Sequence, residues 1–180
     1  MILYHATPGI NGEKIIGTRI IKNNCPRTWN GDSYQSDGKV VDLSTTDGYV
    51  YLSNKLSLAA FYGNANRLNV GGDCNDYYIF RMNIPEDLLL PDKDELRINR
   101  KRNDVETAKE SLEICCCACV DFPLRADEFS IEYIHIDLYD FSSKLNKKVF
   151  ELCQDFKNEM KPDPQERIVE INEIAHWKKL

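Results

Sequence analysis

The sequence predicts an α+β fold, in which a sheet core carries flanking helices and a helical extension follows it. Three observations carry that reading. "YVYLS" (49–53), "DYYIFRMNI" (76–84) and "FSIEYIHIDLY" (129–139) have the apolar patterning of strands. Helical spacing appears between them. After residue 141 the character changes, and Leu145, Val149, Leu152, Phe156 and Met160 form one amphipathic stripe. The expected organisation is therefore a domain over 1–141 and a C-terminal helical extension over 142–180, packed on it.

The elements follow in order. "MILYHAT" opens with apolar residues and predicts a buried first strand. "EKIIGTRIIKN" predicts a short helix leading into a strand, with Gly9, Gly12 and Gly17 as punctuation. Residues 23–48 are rich in Asn, Asp, Ser and Gly and predict a long loop. Trp29, within it, is a candidate contact for an acceptor, because binding residues favour such loops. "YVYLS" is the next strand. Ser53 or Asn54 is expected to cap a helix over about 55–62.

"NANRLNVGGDCN" then reads as a loop and "PEDLLLPDKDEL" as an irregular connection marked by Pro85 and Pro91. Asp104 is expected to cap a helix running to about 120, since Val105, Ala108, Leu112, Cys115, Cys116 and Cys119 keep helical spacing. The polar turn "RADE" feeds the late strand. "KPDPQ" ends the stripe helix, and "ERIVEINEIAHWKKL" reads as a last helix.

Composition bounds the partners. The 180 residues suffice for one cored domain. A net charge of -6 lacks the broad positive field of non-specific nucleic-acid binding. No stretch approaches the ~20 apolar residues of a membrane span, and "MILYHATPGI" lacks the pattern of a secretory signal. Of seven cysteines, four crowd into "CCCAC", too close for all of them to pair in good disulfide geometry. A reduced, cytoplasmic setting follows.

Few residues stand out chemically. His5, His135 and His176 lack the H-x-x-x-H spacing of metal ligands, and the cysteines lack paired CxxC spacing, so no metal is expected. "CCCAC" reads as small apolar filler on a buried helix face. No glycine-rich phosphate loop is present. Glu132 differs from the other carboxylates, because it sits between apolar residues in "SIEYIHID". Such a group either points to solvent, finds a partner or has a task.

Taken together, these residues resemble the His-Tyr-Glu branch of the ADP-ribosyltransferase superfamily, which includes poly(ADP-ribose) polymerases and diphtheria-type toxins. "LYHAT" resembles its first motif and supplies His5 and Thr7. "YVYLSNKLSLAAFY" resembles the second and supplies Tyr51, Ser57, Ala60 and Tyr62. "IEYIHID" resembles the third and supplies Glu132. The likeness spans residues 1 to about 140. Ala6 and Leu52 depart from it, the first standing where the family usually has glycine.

The resemblance implies a split sheet core and NAD as co-substrate. It implies that Glu132 stabilises an oxocarbenium-like ribose, as carboxylates do beside similar transition states. Tyr51 and Tyr62 would sandwich the nicotinamide ring. His5 would bond the adenine-side ribose, while Ala6 and Thr7 would hold the nicotinamide end, with Ser57 also in the NAD site. His5, Tyr51 and Glu132 would form the catalytic set. The implied function is mono-ADP-ribosyl transfer to a macromolecule, protein rather than nucleic acid, in a compact bacterial or phage effector or toxin. The alternatives are an NAD glycohydrolase and a non-catalytic NAD- or ADP-ribose-binding module.

Overall fold

The computed structural model describes residues 1–23, 34–36, 39–41, 45–70, 74–159 and 163–180. Most of the expected 23–48 loop, Trp29 included, lies outside them. Within it, β3 (Tyr34–Ser36) and β4 (Lys39–Val41) pair with each other.

The fold is mixed α and β. Strand β1 (Ile2–Pro8) leads into helix α1 (Gly9–Thr18) and β2 (Ile20–Ile21), as the sequence predicts. Next come β5 (Val50–Ser53), α2 (Leu56–Asn66) and β6 (Asp76–Asn83). The "PEDLLLPDKDEL" stretch is not irregular. It holds a 3-10 turn, β7 (Leu90–Pro91) and the start of α3 (Lys93–Arg100), whose N-cap Asp92 accepts from Glu95 N at 2.8 Å.

The expected helix to residue 120 is two elements. Helix α4 (Ala108–Cys115) is capped by Thr107, not Asp104, through a reciprocal capping box with Glu110. Asp104 instead pairs with Arg102 at 2.7 Å. The helix stops at Cys116, whose φ of 62° is left-handed, and β8 (Cys117–Val120) follows, buried along its whole length. The last elements are β9 (Leu124–Arg125), β10 (Ile131–Asp137), α5 (Lys144–Glu159), α6 (Gln165–Ile174) and β11 (Lys178–Lys179). The tail is thus not helical to its end.

Seven strands form one sheet in the order β11-β10-β6-β1-β5-β8-β7, and every adjacent pair is antiparallel. Paired residues on neighbouring strands share a face. Tyr4, Arg81, Glu132 and Ser53 therefore lie on one face, and His5, Phe80 and Tyr133 on the other. The first face carries α2, α5 and α6. Their Leu56, Ala60, Val149, Leu152 and Ile171 pack on Tyr77, Ile79, Ile134 and Ile136. The C-terminal helices thus share a core with the sheet. On the opposite face Leu3, Leu52, Phe80, Met82 and Val120 meet Ile15 of α1, Ile21 of β2 and Leu124 of β9. Among the described residues no helix is long and apolar enough to cross a membrane.

Candidate active site

Strands β1 and β5 meet at a single register position, Tyr4 with Ser53. Beyond it they part, while β1 stays paired to β6 along its length. His5 stands at the parting. Its Nδ1 lies 3.0 Å from the Tyr51 carbonyl oxygen, so a side chain takes up a backbone acceptor that the ladder leaves open. A carbonyl only accepts, so Nδ1 carries the proton and Nε2 keeps a lone pair. Burial lowers the His5 pKa from its ordinary value, against the raising effect of the Tyr51 bond, and favours the neutral ring.

Ala6 and Thr7 follow His5 on β1, with their side chains on opposite faces of the sheet. Ala6 has ordinary strand backbone and is not among the left-handed residues, so alanine is accommodated where the resemblance expects glycine. Room for its methyl comes from α2. A Cβ on Gly63 would lie 2.9 Å from the Ala6 Cβ and 2.6 Å from Tyr77 Cδ2. Thr7 is buried.

The two tyrosines converge on α3. Tyr51 donates its hydroxyl hydrogen to Asp94 Oδ2 at 2.5 Å, and the Thr46 carbonyl, 2.8 Å from the same oxygen, is the alternative acceptor. Tyr62, on α2, donates to Glu95 Oε2 at 2.7 Å. Consecutive residues in the first turn of α3 thus anchor two tyrosines eleven positions apart. Asp94 also accepts from Thr46 N at 2.6 Å, and Glu95 from Asn99 Nδ2 at 2.8 Å. Burial first, and then these carboxylates, raise both tyrosine pKa values and keep the phenols protonated. Burial likewise pushes Asp92 up to about 8, although the Glu95 amide opposes it.

Sequence reasoning missed Asp92, Asp94 and Glu95. A signal was present in Asp92 and Glu95 three residues apart, the acid-x-x-acid spacing of a helix start.

Glu132 is elsewhere. Its Oε2 accepts from Arg81 Nε at 2.8 Å, with both side chains about a quarter exposed. Arg81 also donates to Asn172 and lies 4.2 Å from the Trp177 ring centroid. The strand glutamate therefore has a cationic partner. It lies three strand spacings from Tyr51, roughly 14 Å sideways across the sheet. Helix α2 packs over β1 and β6 between them. The structure thus joins the His5 side chain to the Tyr51 backbone, and brings Tyr51 and Tyr62 to one acidic turn. It does not bring Glu132 to either.

Ser57 sits in the first turn of α2, 2% exposed, with no partner for its hydroxyl among the described residues. Of the cysteines, Cys115 ends α4 while Cys117 and Cys119 are on β8, so buried filler describes them but a single helix face does not. Among the described residues no group of three or more His, Cys, Asp or Glu side chains is placed to hold a metal ion. No family model matches this chain, and no curated protein matches it.

Proposed function

We propose that this chain is an NAD-dependent ADP-ribosyltransferase that binds the dinucleotide where β1 and β5 part. The observation that carries this reading is the 3.0 Å bond between the His5 imidazole and the Tyr51 carbonyl, which joins the first two motifs in space. A neutral His5 leaves Nε2 free to accept from a ribose hydroxyl. Tyr51 and Tyr62 offer aromatic surface with their hydroxyls already held, a preorganised setting for a flat heteroaromatic ring.

Breaking the nicotinamide-ribose bond builds positive charge on the ribose, which a nearby carboxylate stabilises. In this fold the carboxylates beside the tyrosines are Asp94 and Glu95, so that role passes to them, and Glu132 is left to support β6 and β10. The acceptor of ADP-ribose is taken to be a macromolecule, with an effector or toxin role following from the resemblance alone.

The second reading is a non-catalytic NAD- or ADP-ribose-binding module. It is favoured by the saturation of Asp94, which accepts from Tyr51, Thr46 N and Thr46 Oγ1. Nicotinamide release and NAD binding, measured side by side with and without cell lysate, separate the readings. Release that rises with lysate and falls about a hundredfold in Glu95→Gln supports the transferase. Release indifferent to lysate points to a glycohydrolase. Binding without release points to the module, and absence of binding sinks all three.

A further inference from the structure

Helix α2 begins without a cap of its own, because its N-cap residue, Lys55, makes no side-chain capping bond. Its first amides are served from far along the chain. Asp163 accepts from Leu56 N at 2.7 Å through Oδ2 and from Ser57 N at 3.2 Å through Oδ1. A carboxylate on two first-turn amides occupies the position in which helix N-termini hold anions.

A second observation concerns buried side chains. Among the described residues, three buried side-chain polar atoms have no hydrogen-bond partner: Asn54 Oδ1, Ser57 Oγ and Arg100 Nε. A buried polar atom left unpaired is costly, so these atoms call for an explanation. Asn54 and Ser57 belong to the start of α2, and Arg100 ends α3. Ser57 is in the first turn of α2 and is 98% buried by the complement of its 2% exposure. Asn54 immediately precedes the helix and donates its amide to the Cys116 carbonyl at 3.0 Å. Lys55, Arg100 and Asp163 also act electrostatically on the thiol of Cys116, the residue whose carbonyl Asn54 bonds.

The chemistry of the group is specific. Two amides, the Ser57 hydroxyl and Arg100 Nε are donors suited to an anion. Lys55 and Arg100 add positive charge. Asn54 Oδ1 is an acceptor, suited to a hydroxyl beside that anion. A phosphate ester of a sugar carries both.

We propose that the start of α2, with Asn54, Lys55, Ser57 and Arg100, is a phosphate-binding site, and that Asp163 fills it as an internal competitor. A bound phosphate takes the Leu56 and Ser57 amides, satisfies Ser57 and Arg100, and displaces the Asp163 carboxylate. Binding is noncovalent and does not require the NAD reading.

The test titrates inorganic phosphate and ribose 5-phosphate into the full chain while following the Leu56 and Ser57 amides by NMR. Wild type is expected to bind weakly, and Asp163→Ala at least tenfold more tightly. Adding Ser57→Ala and Arg100→Gln to Asp163→Ala should reverse that gain. Asp163→Asn, which keeps a capping acceptor without the charge, should fall between. A preference for ribose 5-phosphate assigns the site to phosphorylated sugars and equal affinity assigns it to free anions; both sustain the proposal. Overturning results are a folded Asp163→Asn protein whose two amides ignore saturating phosphate, or binding that survives loss of Ser57 and Arg100 together. If Asp163 variants do not fold, wild-type amides that stay unmoved at saturating phosphate overturn it.

Discussion

Tyr51 gives its phenolic hydrogen to Asp94 at 2.5 Å, tying the last strand residues before α2 to the first turn of α3. The bond is charge-assisted and largely shielded, since Asp94 is 6% exposed. Tyr51→Phe removes one donor and leaves Asp94 its two contacts from Thr46. A loss of about 1–2 kcal/mol is expected in urea unfolding. If the transition midpoint does not move, the anchor is not part of the fold's stability.

His5 predicts an acid-side dependence. Its folded pKa lies below the ordinary 6.5, so the unfolded chain takes up the proton first. Stability contributed by the neutral ring is present above pH 6.5 and is lost as pH falls below it. His5→Asn should flatten the melting temperature between pH 5 and 7 relative to wild type. NAD affinity should weaken only at lower pH, where the folded protein itself takes up the proton, because a protonated Nε2 no longer accepts a hydroxyl. An affinity that weakens already above pH 6.5 would count against the neutral ring assigned to His5.

Glu132 is expected to behave as a structural residue. Glu132→Gln keeps an acceptor for Arg81 and removes the charge, so it should cost about 0.5–1 kcal/mol, as partly exposed ion pairs do. Nicotinamide release should persist in this variant. Complete loss of release from a stably folded Glu132→Gln protein would show that the glutamate reaches the ribose after all.

Asp92 predicts the opposite pH trend. Its folded pKa of about 8 stands above the ordinary carboxyl value, so the folded protein holds a proton that the unfolded chain gives up. The resulting stability is fully present below about pH 4 and is lost as pH rises through about 8. Asp92→Asn keeps the N-cap and removes the titration. The variant should gain on wild type from pH 5 to about pH 8 in thermal unfolding and then level off. Parallel curves would mean that Asp92 is ionised throughout.

Cys116 carries a left-handed angle, φ 62°, where α4 turns into β8. Glycine adopts that angle without the Cβ penalty. Cys116→Gly should therefore stabilise the protein by about 1 kcal/mol, read as a higher denaturant midpoint with an unchanged slope.

That junction also shows where the sequence was hard to read. The cysteines at 115, 116 and 119 fit a helical period, yet Cys117–Val120 is a strand buried on both sides, and such runs carry no alternation. By contrast β1, β6 and β10 were legible because apolar residues dominate them over seven or eight positions. Helix α2 was legible as a helix but not in its capping, since Asp163 comes from another part of the chain. For the candidate site, the motifs put His5 and Tyr51 in one set but do not reveal the bond from the imidazole to the Tyr51 carbonyl. The pairing of Glu132 with Arg81 could not be anticipated, because it depends on which strand lies beside β10. Nor could the buried acids of α3, since charged residues are solvated by default.

The order of the sheet also bears on how the chain comes to be made. The first strand lies inside it, yet the strands on its two sides begin at Val50 and Asp76, with Ile2 meeting Asn83. During synthesis β1 emerges with both edges bare and waits for much of the protein to follow. Sheets closed by such distant segments assemble slowly and expose sticky edges meanwhile. Folding yield should therefore respond to translation speed and to chaperones that shield β1 as it emerges.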